Sequence, residues 1–189
     1  MAKTFIRALL VASIILFASP LYGQADNTGN YSPTLRERIF FGGSFGLQIG
    51  TYTYIETSPL IGLWLTPRLN IAAGPCYKFL KDPYGSTDVF GAKAFTRLVL
   101  IKDINNIVPI GVGISIYLHG EFERLSYRAD FFYTNPDRIR ISNNAVLGGF
   151  GFSQHLGPRS SLDISILWLM NEAELDIYDS PEVKIGVTF

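Results

Sequence analysis

His119, Glu121 and Glu123 stand at positions i, i+2 and i+4. On an extended strand that spacing puts all three side chains on one face, a donor set suited to a metal ion. The other histidine, His155, follows Ser153 by two residues, which would set a hydroxyl and an imidazole side by side. Lys78, Lys93, Arg97, Asp163 and Lys184 carry further charges inside otherwise apolar stretches. Cys76 is the only cysteine, so the chain forms no intrachain disulfide and no multi-cysteine zinc site. There is no glycine-rich phosphate motif of the usual form.

What these residues do depends on the elements that carry them, and those read in steps of two. Ile39, Phe41, Phe45, Leu47 and Ile49 share one face, while Phe40, Gly42, Ser44, Gly46, Gln48 and Gly50 share the other. Val108, Ile110, Val112, Ile114, Ile116 and Leu118 alternate with Pro109, Gly111, Gly113, Ser115, Tyr117 and His119. Leu162, Ile164, Ile166 and Trp168 alternate with Asp163, Ser165, Leu167 and Leu169. Val183, Ile185, Val187 and Phe189 alternate with Lys184, Gly186 and Thr188.

One face is bulky and apolar; the other is mostly small or polar. A soluble sandwich turns its large residues inward. A tight polar face opposite a bulky one suits a barrel whose outside meets lipid. The spacing predicts eight strands, near 38–51, 57–66, 69–81, 87–102, 106–123, 139–156, 161–171 and 181–189. Most reach the roughly 9–11 residues that a tilted strand needs to cross a bilayer. Tight turns at Thr66–Arg68, Lys102–Asn105 and Gly157–Arg159 alternate with longer connections at Tyr52–Glu56, Asp82–Ser86, Arg124–Arg138 and Glu172–Ser180. The fold expected is all-β: an eight-stranded antiparallel up-and-down transmembrane β-barrel spanning residues 38–189. An even strand number puts both of its ends on the short-turn side, the periplasm.

Lys3 and Arg7, the apolar run Ala8–Phe17, Pro20 and the small residues after it read as an export signal over residues 1–25, cleaved after Gly23 or Ala25. Residues 26–37 read as a polar lead-in. The whole chain carries 16 basic and 16 acidic residues. That balance argues against a polybasic nucleic-acid partner and against an acidic disordered tail.

The alternating ending Val183, Ile185, Val187, Phe189 resembles the signature that bacterial outer-membrane barrels present to their assembly machinery. Ser58-Pro59-Leu60-Ile61-Gly62 leading to Thr66-Pro67-Arg68-Leu69, and Phe90-Gly91-Ala92-Lys93-Ala94-Phe95-Thr96-Arg97, resemble a family of small bacterial "outer membrane protein beta-barrel domain" proteins. The resemblance implies a fold and a Gram-negative outer-membrane address. It implies no reaction, so no functional residues carry over.

Extending the alternation turns Lys78, Lys93, Arg97, Glu121, Glu123, Asp163 and Lys184 inward. An eight-stranded barrel is just wide enough for side chains to fill it. A salt-bridged plug is expected, with a narrow polar path as the alternative. His155 falls by the short turn and His119 near the opposite end of its strand, so the two do not share a metal. No catalytic residue, metal or cofactor is assigned. The long loops carry the other expectations. Arg124, Arg128, Arg138 and Arg140, with Phe131, Phe132 and Tyr133, suit lipopolysaccharide phosphates and an interfacial anchor. Glu172, Glu174, Asp176, Asp179 and Glu182 make the last loop acidic, a solvated loop or a site of cation bridging to lipid phosphates. Tyr52, Tyr54, Tyr84 and Trp168 suit an aromatic girdle. The role expected is structural or surface-interacting, with outer-membrane lipid, lipopolysaccharide and the barrel assembly machinery as partners. Two alternatives are a lipid-modifying enzyme and a soluble exported barrel that holds a small apolar ligand with Ile39 and Phe41 turned inward.

Overall fold

The computed structural model describes residues 34–48, 53–81, 85–109, 111–128, 140–171 and 181–189. Eight strands follow one another: β1 (Ile39–Gln48), β2 (Thr53–Trp64), β3 (Leu69–Lys81), β4 (Ser86–Ile101), β5 (Ile114–Arg128), β6 (Arg140–His155), β7 (Ser161–Leu169) and β8 (Glu182–Thr188). Each pairs antiparallel with the next, and β8 pairs back onto β1, so the sheet is a closed barrel. Backbone bonds between Phe41 and Phe189, at 2.7 and 3.1 Å, extend that seam. Closure gives every strand a neighbour on each side, which a sheet crossing lipid requires.

The alternation decides which way each side chain points. Phe41, Ile61, Phe90, Phe122, Ile164 and Ile185 face out and are exposed. Phe40, Glu56, Lys78, Lys93, Glu121, Asp163 and Lys184 face in and are buried. Ile39 and Phe41 are 38 % and 60 % exposed, opposite to what the soluble ligand-holding barrel requires. The lumen is filled in layers. Toward the long-connection end lie Cys76, Val89, Leu125, Tyr127, Ala145, Leu147 and Leu167. Toward the short-turn end Phe40, Leu60, Ala72 and Phe95 pack with Trp64. Along β4 the inward residues run Val89, Gly91, Lys93, Phe95, so the charges sit between the two apolar clusters.

Two inward glycines mark how tightly the barrel curls. A Cβ on Gly149 would lie 2.0 Å from the Ile166 carbonyl oxygen, and one on Gly74 equally close to that of Pro59. Both obstacles are backbone of the neighbouring strand and yield only if the ladder moves. Gly120 faces outward, where a Cβ would meet nothing nearer than the Thr96 methyl at 3.6 Å. Gly149→Ala is therefore expected to lower stability by about 1–3 kcal/mol. Gly120→Ala should stay within about 0.5 kcal/mol. Denaturant midpoints of the two variants in one detergent check the contrast.

Three sequence expectations change. The described residues of the 106–113 stretch are not strand, and the turn expected at Lys102–Asn105 is a longer connection reaching Gly113. Its apolar alternation is local loop chemistry. Asp103 caps a short 3-10 turn by accepting from the Asn105 N–H, and Asn105 Oδ1 accepts from the Gly111 N–H. Gly111 has φ 75°, and Pro109 has no N–H to give a ladder. The second change is that β2 begins at Thr53, so Glu56 is strand rather than loop. The third is that β5 runs on to Arg128, so Arg124 belongs to the barrel wall. The end of the expected lead-in is also ordered. Leu35–Arg38 form one helical turn, α1, and Arg38 donates to the carbonyls of Trp64 and Leu65 at 2.7 and 2.6 Å. The expected export signal lies outside the described residues.

Candidate functional site: a charged layer inside the barrel

Alternation brings the inward charges together from strands distant in sequence. Glu56 of β2 is the hub. Its carboxylate lies 2.6 Å from Lys93 Nζ of β4, 3.3 Å from Lys78 Nζ of β3 and 3.8 Å from Lys184 Nζ of β8. The Tyr54 hydroxyl donates to it, and the Ser58 hydroxyl donates at 3.3 Å. Glu123 of β5 takes Lys78 at 2.7 Å and Lys184 at 2.6 Å. Lys184 also pairs with Glu121, and Lys93 donates to the Ser44 hydroxyl.

A second group lies nearer the short turns. Arg97 Nη1 pairs with Asp163 Oδ2 at 3.0 Å, and the Thr188 hydroxyl donates to the same oxygen at 2.9 Å. The guanidinium rests against the rings of Phe95 and Tyr117, 4.4 and 4.9 Å from their centroids. Arg97 Nε donates to His119 Nδ1 at 3.1 Å, and His119 Nε2 lies 3.1 Å from Glu121 Oε2. The first contact makes Nδ1 an acceptor, so Nε2 carries the proton toward Glu121. Four cations, Lys78, Lys93, Arg97 and Lys184, thus face five carboxylates, Glu56, Glu121, Glu123, Asp163 and Glu182. Buried charges persist only when paired in this way.

This arrangement decides against several chemistries. Both ring nitrogens of His119 are engaged, so the i, i+2, i+4 set has no free imidazole to give a metal. Donor atoms of Glu56, Cys76 and Glu123 lie within 4.8 Å of one another. Lys78 bonds both of those carboxylates, so an ammonium already supplies the positive charge that an ion would bring. Ser126 faces outward and accepts from Arg140 Nε at 3.1 Å, on the opposite side of the wall from His119. His155 is exposed at the short-turn end, its backbone N–H donating to the Gly113 carbonyl. A vestibule of about 300 Å³ opens there, lined by Trp64, Pro67, Val99, Lys102, Ser115 and His155.

All seven charges expected to point inward do so: Lys78, Lys93, Arg97, Glu121, Glu123, Asp163 and Lys184. The sequence reading missed Glu56 as the hub, and it placed Glu182 in the last loop. Glu182 opens β8 with the inward parity of Lys184, 3.7 Å from its Nζ. Tyr54 was expected in the girdle and instead points inward, its hydroxyl also 3.2 Å from Glu182. The parity of Tyr54, Glu56 and Ser58 was the available signal. Val183, Ile185, Val187 and Phe189 all face outward on the strand that closes the barrel. Tyr52, Tyr84, Phe131, Phe132, Tyr133, Arg138, Glu172, Glu174, Asp176 and Asp179 lie outside the described residues.

The fold and its interior define a closed eight-stranded antiparallel barrel with an apolar outside and a paired, charged inside. The chain is similar in fold to the crystal structure of the N-terminal beta-barrel domain of Pseudomonas aeruginosa OprF. The match has a TM-score of 0.50 and 16 % identity, and it covers 80 % of this chain and 96 % of that one. No family model matches the chain, and no curated protein matches it in sequence.

Proposed function

We propose that this chain is an integral outer-membrane β-barrel with a structural or surface-interaction role, neither an enzyme nor an open pore. The observation that carries the reading is its polarity. Large apolar side chains cover the outside of a closed barrel, and ion pairs fill the inside. In water that arrangement would expose a broad apolar wall and bury charge at a loss. In a bilayer the wall is solvated by acyl chains and closure satisfies the backbone. The likeness to the N-terminal barrel of OprF supports this fold. The outward row Val183, Ile185, Val187, Phe189 supports recognition by the assembly machinery, and the Ser58–Leu69 and Phe90–Arg97 segments support the small outer-membrane barrel family.

The test is heat-modifiability of the full chain in a purified outer-membrane fraction. The unboiled barrel should run compact on a detergent gel and shift on boiling. A protein found in the aqueous fraction, with no shift, would sink the reading. In planar bilayers the folded protein should add no conductance steps above baseline, because the apolar clusters and the ion pairs between them occupy the lumen.

A further inference from the structure

The outward charges of the described strand residues are confined to one end of the barrel and to four adjacent strands. Lys81 ends β3, Asp88 lies near the start of β4, Arg124 and Arg128 lie in the last part of β5, and Arg140 opens β6. Four of the five are cations. The one acid, Asp88, accepts from the Tyr77 hydroxyl at 2.6 Å.

The arginines are set against one another. Arg128 pairs directly with Arg140 across the β5–β6 ladder. Like charges directly opposite on one face oppose pairing. Arg140 turns away toward Arg124, its Nε and Nη2 donating to Oγ and the carbonyl of Ser126 at 3.1 and 2.9 Å. Its guanidinium also lies 5.9 Å from the centre of the Phe90 ring. Two of its five N–H donors are thereby used, and they hold the group against the wall. Arg124, exposed, is two positions from Ser126 on the same face, about 7 Å along the strand.

The height is telling. From Ile114 to Arg124, β5 rises ten residues, about 33 Å along the strand. With the usual tilt that is about 25 Å along the membrane normal, the height of a lipid-facing apolar band. Arg124 therefore marks the top of that band, level with lipid headgroups.

We propose that the outer wall of β5 and β6, centred on Arg124 and Arg140, binds the phosphates of a bisphosphorylated outer-leaflet glycolipid. This rests on the outer-membrane reading above. An anion beside Arg124 and Arg140 meets positive charge from both, and the planar fork of arginine suits phosphate oxygens. The bulky outward face of Phe122, two residues below Arg124, receives the acyl chains.

The experiment folds the full chain into bilayers of zwitterionic phospholipid doped with bisphosphorylated lipid A, and measures the lipid A that copurifies. Wild type should retain it. The double variant Arg124→Gln/Arg140→Gln should stay heat-modifiable yet retain about tenfold less, the factor that loss of charge-assisted hydrogen bonds gives. Arg36→Gln/Lys102→Gln, with the same charge change at the other end, should match wild type. Equal retention by the double variant and wild type, both heat-modifiable, overturns the proposal alone. Displacement of lipid A by millimolar inorganic phosphate overturns the lipid assignment and leaves a simple anion site. A wild type that never becomes heat-modifiable overturns the outer-membrane reading and the proposal together.

Discussion

Glu56→Ala is expected to destabilise the folded barrel by about 3–5 kcal/mol, the range for breaking a buried ion pair from one side. Glu56 is fully buried and meets three ammonium groups. Removing it leaves Lys78, Lys93 and Lys184 with Glu121, Glu123 and Glu182 within this layer. The three lysines do not suffer equally. Lys78 keeps Glu123, and Lys184 keeps Glu121, Glu123 and Glu182. Lys93 keeps only the Ser44 hydroxyl. The single change therefore strands one particular charge. Adding Lys93→Met removes that charge and leaves Lys78 and Lys184 with the carboxylates they keep. The double variant should lose less than the sum of the Glu56→Ala and Lys93→Met losses, by a coupling of about 0.5–3 kcal/mol. Guanidinium titrations in detergent, followed by the fluorescence of Trp64 and Trp168, give both values. Losses that simply add would mean that Glu56 and Lys93 act independently, against the geometry described.

The strand faces were legible because alternation is a local signal. Lys184 between Val183 and Ile185 can only point away from both. The partners were not legible. Arg97 meets Asp163 across 66 residues of sequence, and Lys78 meets Glu123 across 45. Those meetings depend on strand tilt and stagger, which set the height of each residue in the lumen, and alternation says nothing of height. Glu56 was lost for a different reason. A polar run from Thr51 to Thr57 reads as loop, and only the parity of Tyr54, Glu56 and Ser58 argues otherwise. The 106–113 stretch failed in the opposite direction. Val108, Ile110 and Val112 alternate as a strand would, but Pro109 and Gly111 occupy the positions between them. Missing N–H groups and a positive φ outweigh apolar spacing. Pro59 and Pro75 show when proline is tolerated. The β2–β3 ladder simply skips the residues between Thr57↔Tyr77 and Ile61↔Ala73, where both fall, and resumes in the same register.

Leu118→Arg should separate a lipid-facing wall from a water-facing one. Leu118 faces outward from β5, pairs with Leu98 and Phe150, and is 47 % exposed. It lies six residues below Arg124, about 20 Å along a tilted strand and about 15 Å along the normal. That places it near the middle of the apolar band, where arginine costs most. In a bilayer the substitution is expected to lower stability by about 2–4 kcal/mol. On a soluble barrel the same exposed site would tolerate it within about 0.5 kcal/mol. Ser142→Arg is the paired control. Ser142 is exposed on β6 opposite Ser126, eight residues from Phe150 toward the Arg140 end, where the cost should fall to about 0–1 kcal/mol. The depth dependence matters more than either value. A general loss of packing would penalise a bulky charge by its neighbours, not by its height. Reversible unfolding from lipid vesicles, compared between the two variants, reads that dependence directly. Equal small effects at both sites would mean that the wall faces water, and the paired charges inside would then need another account.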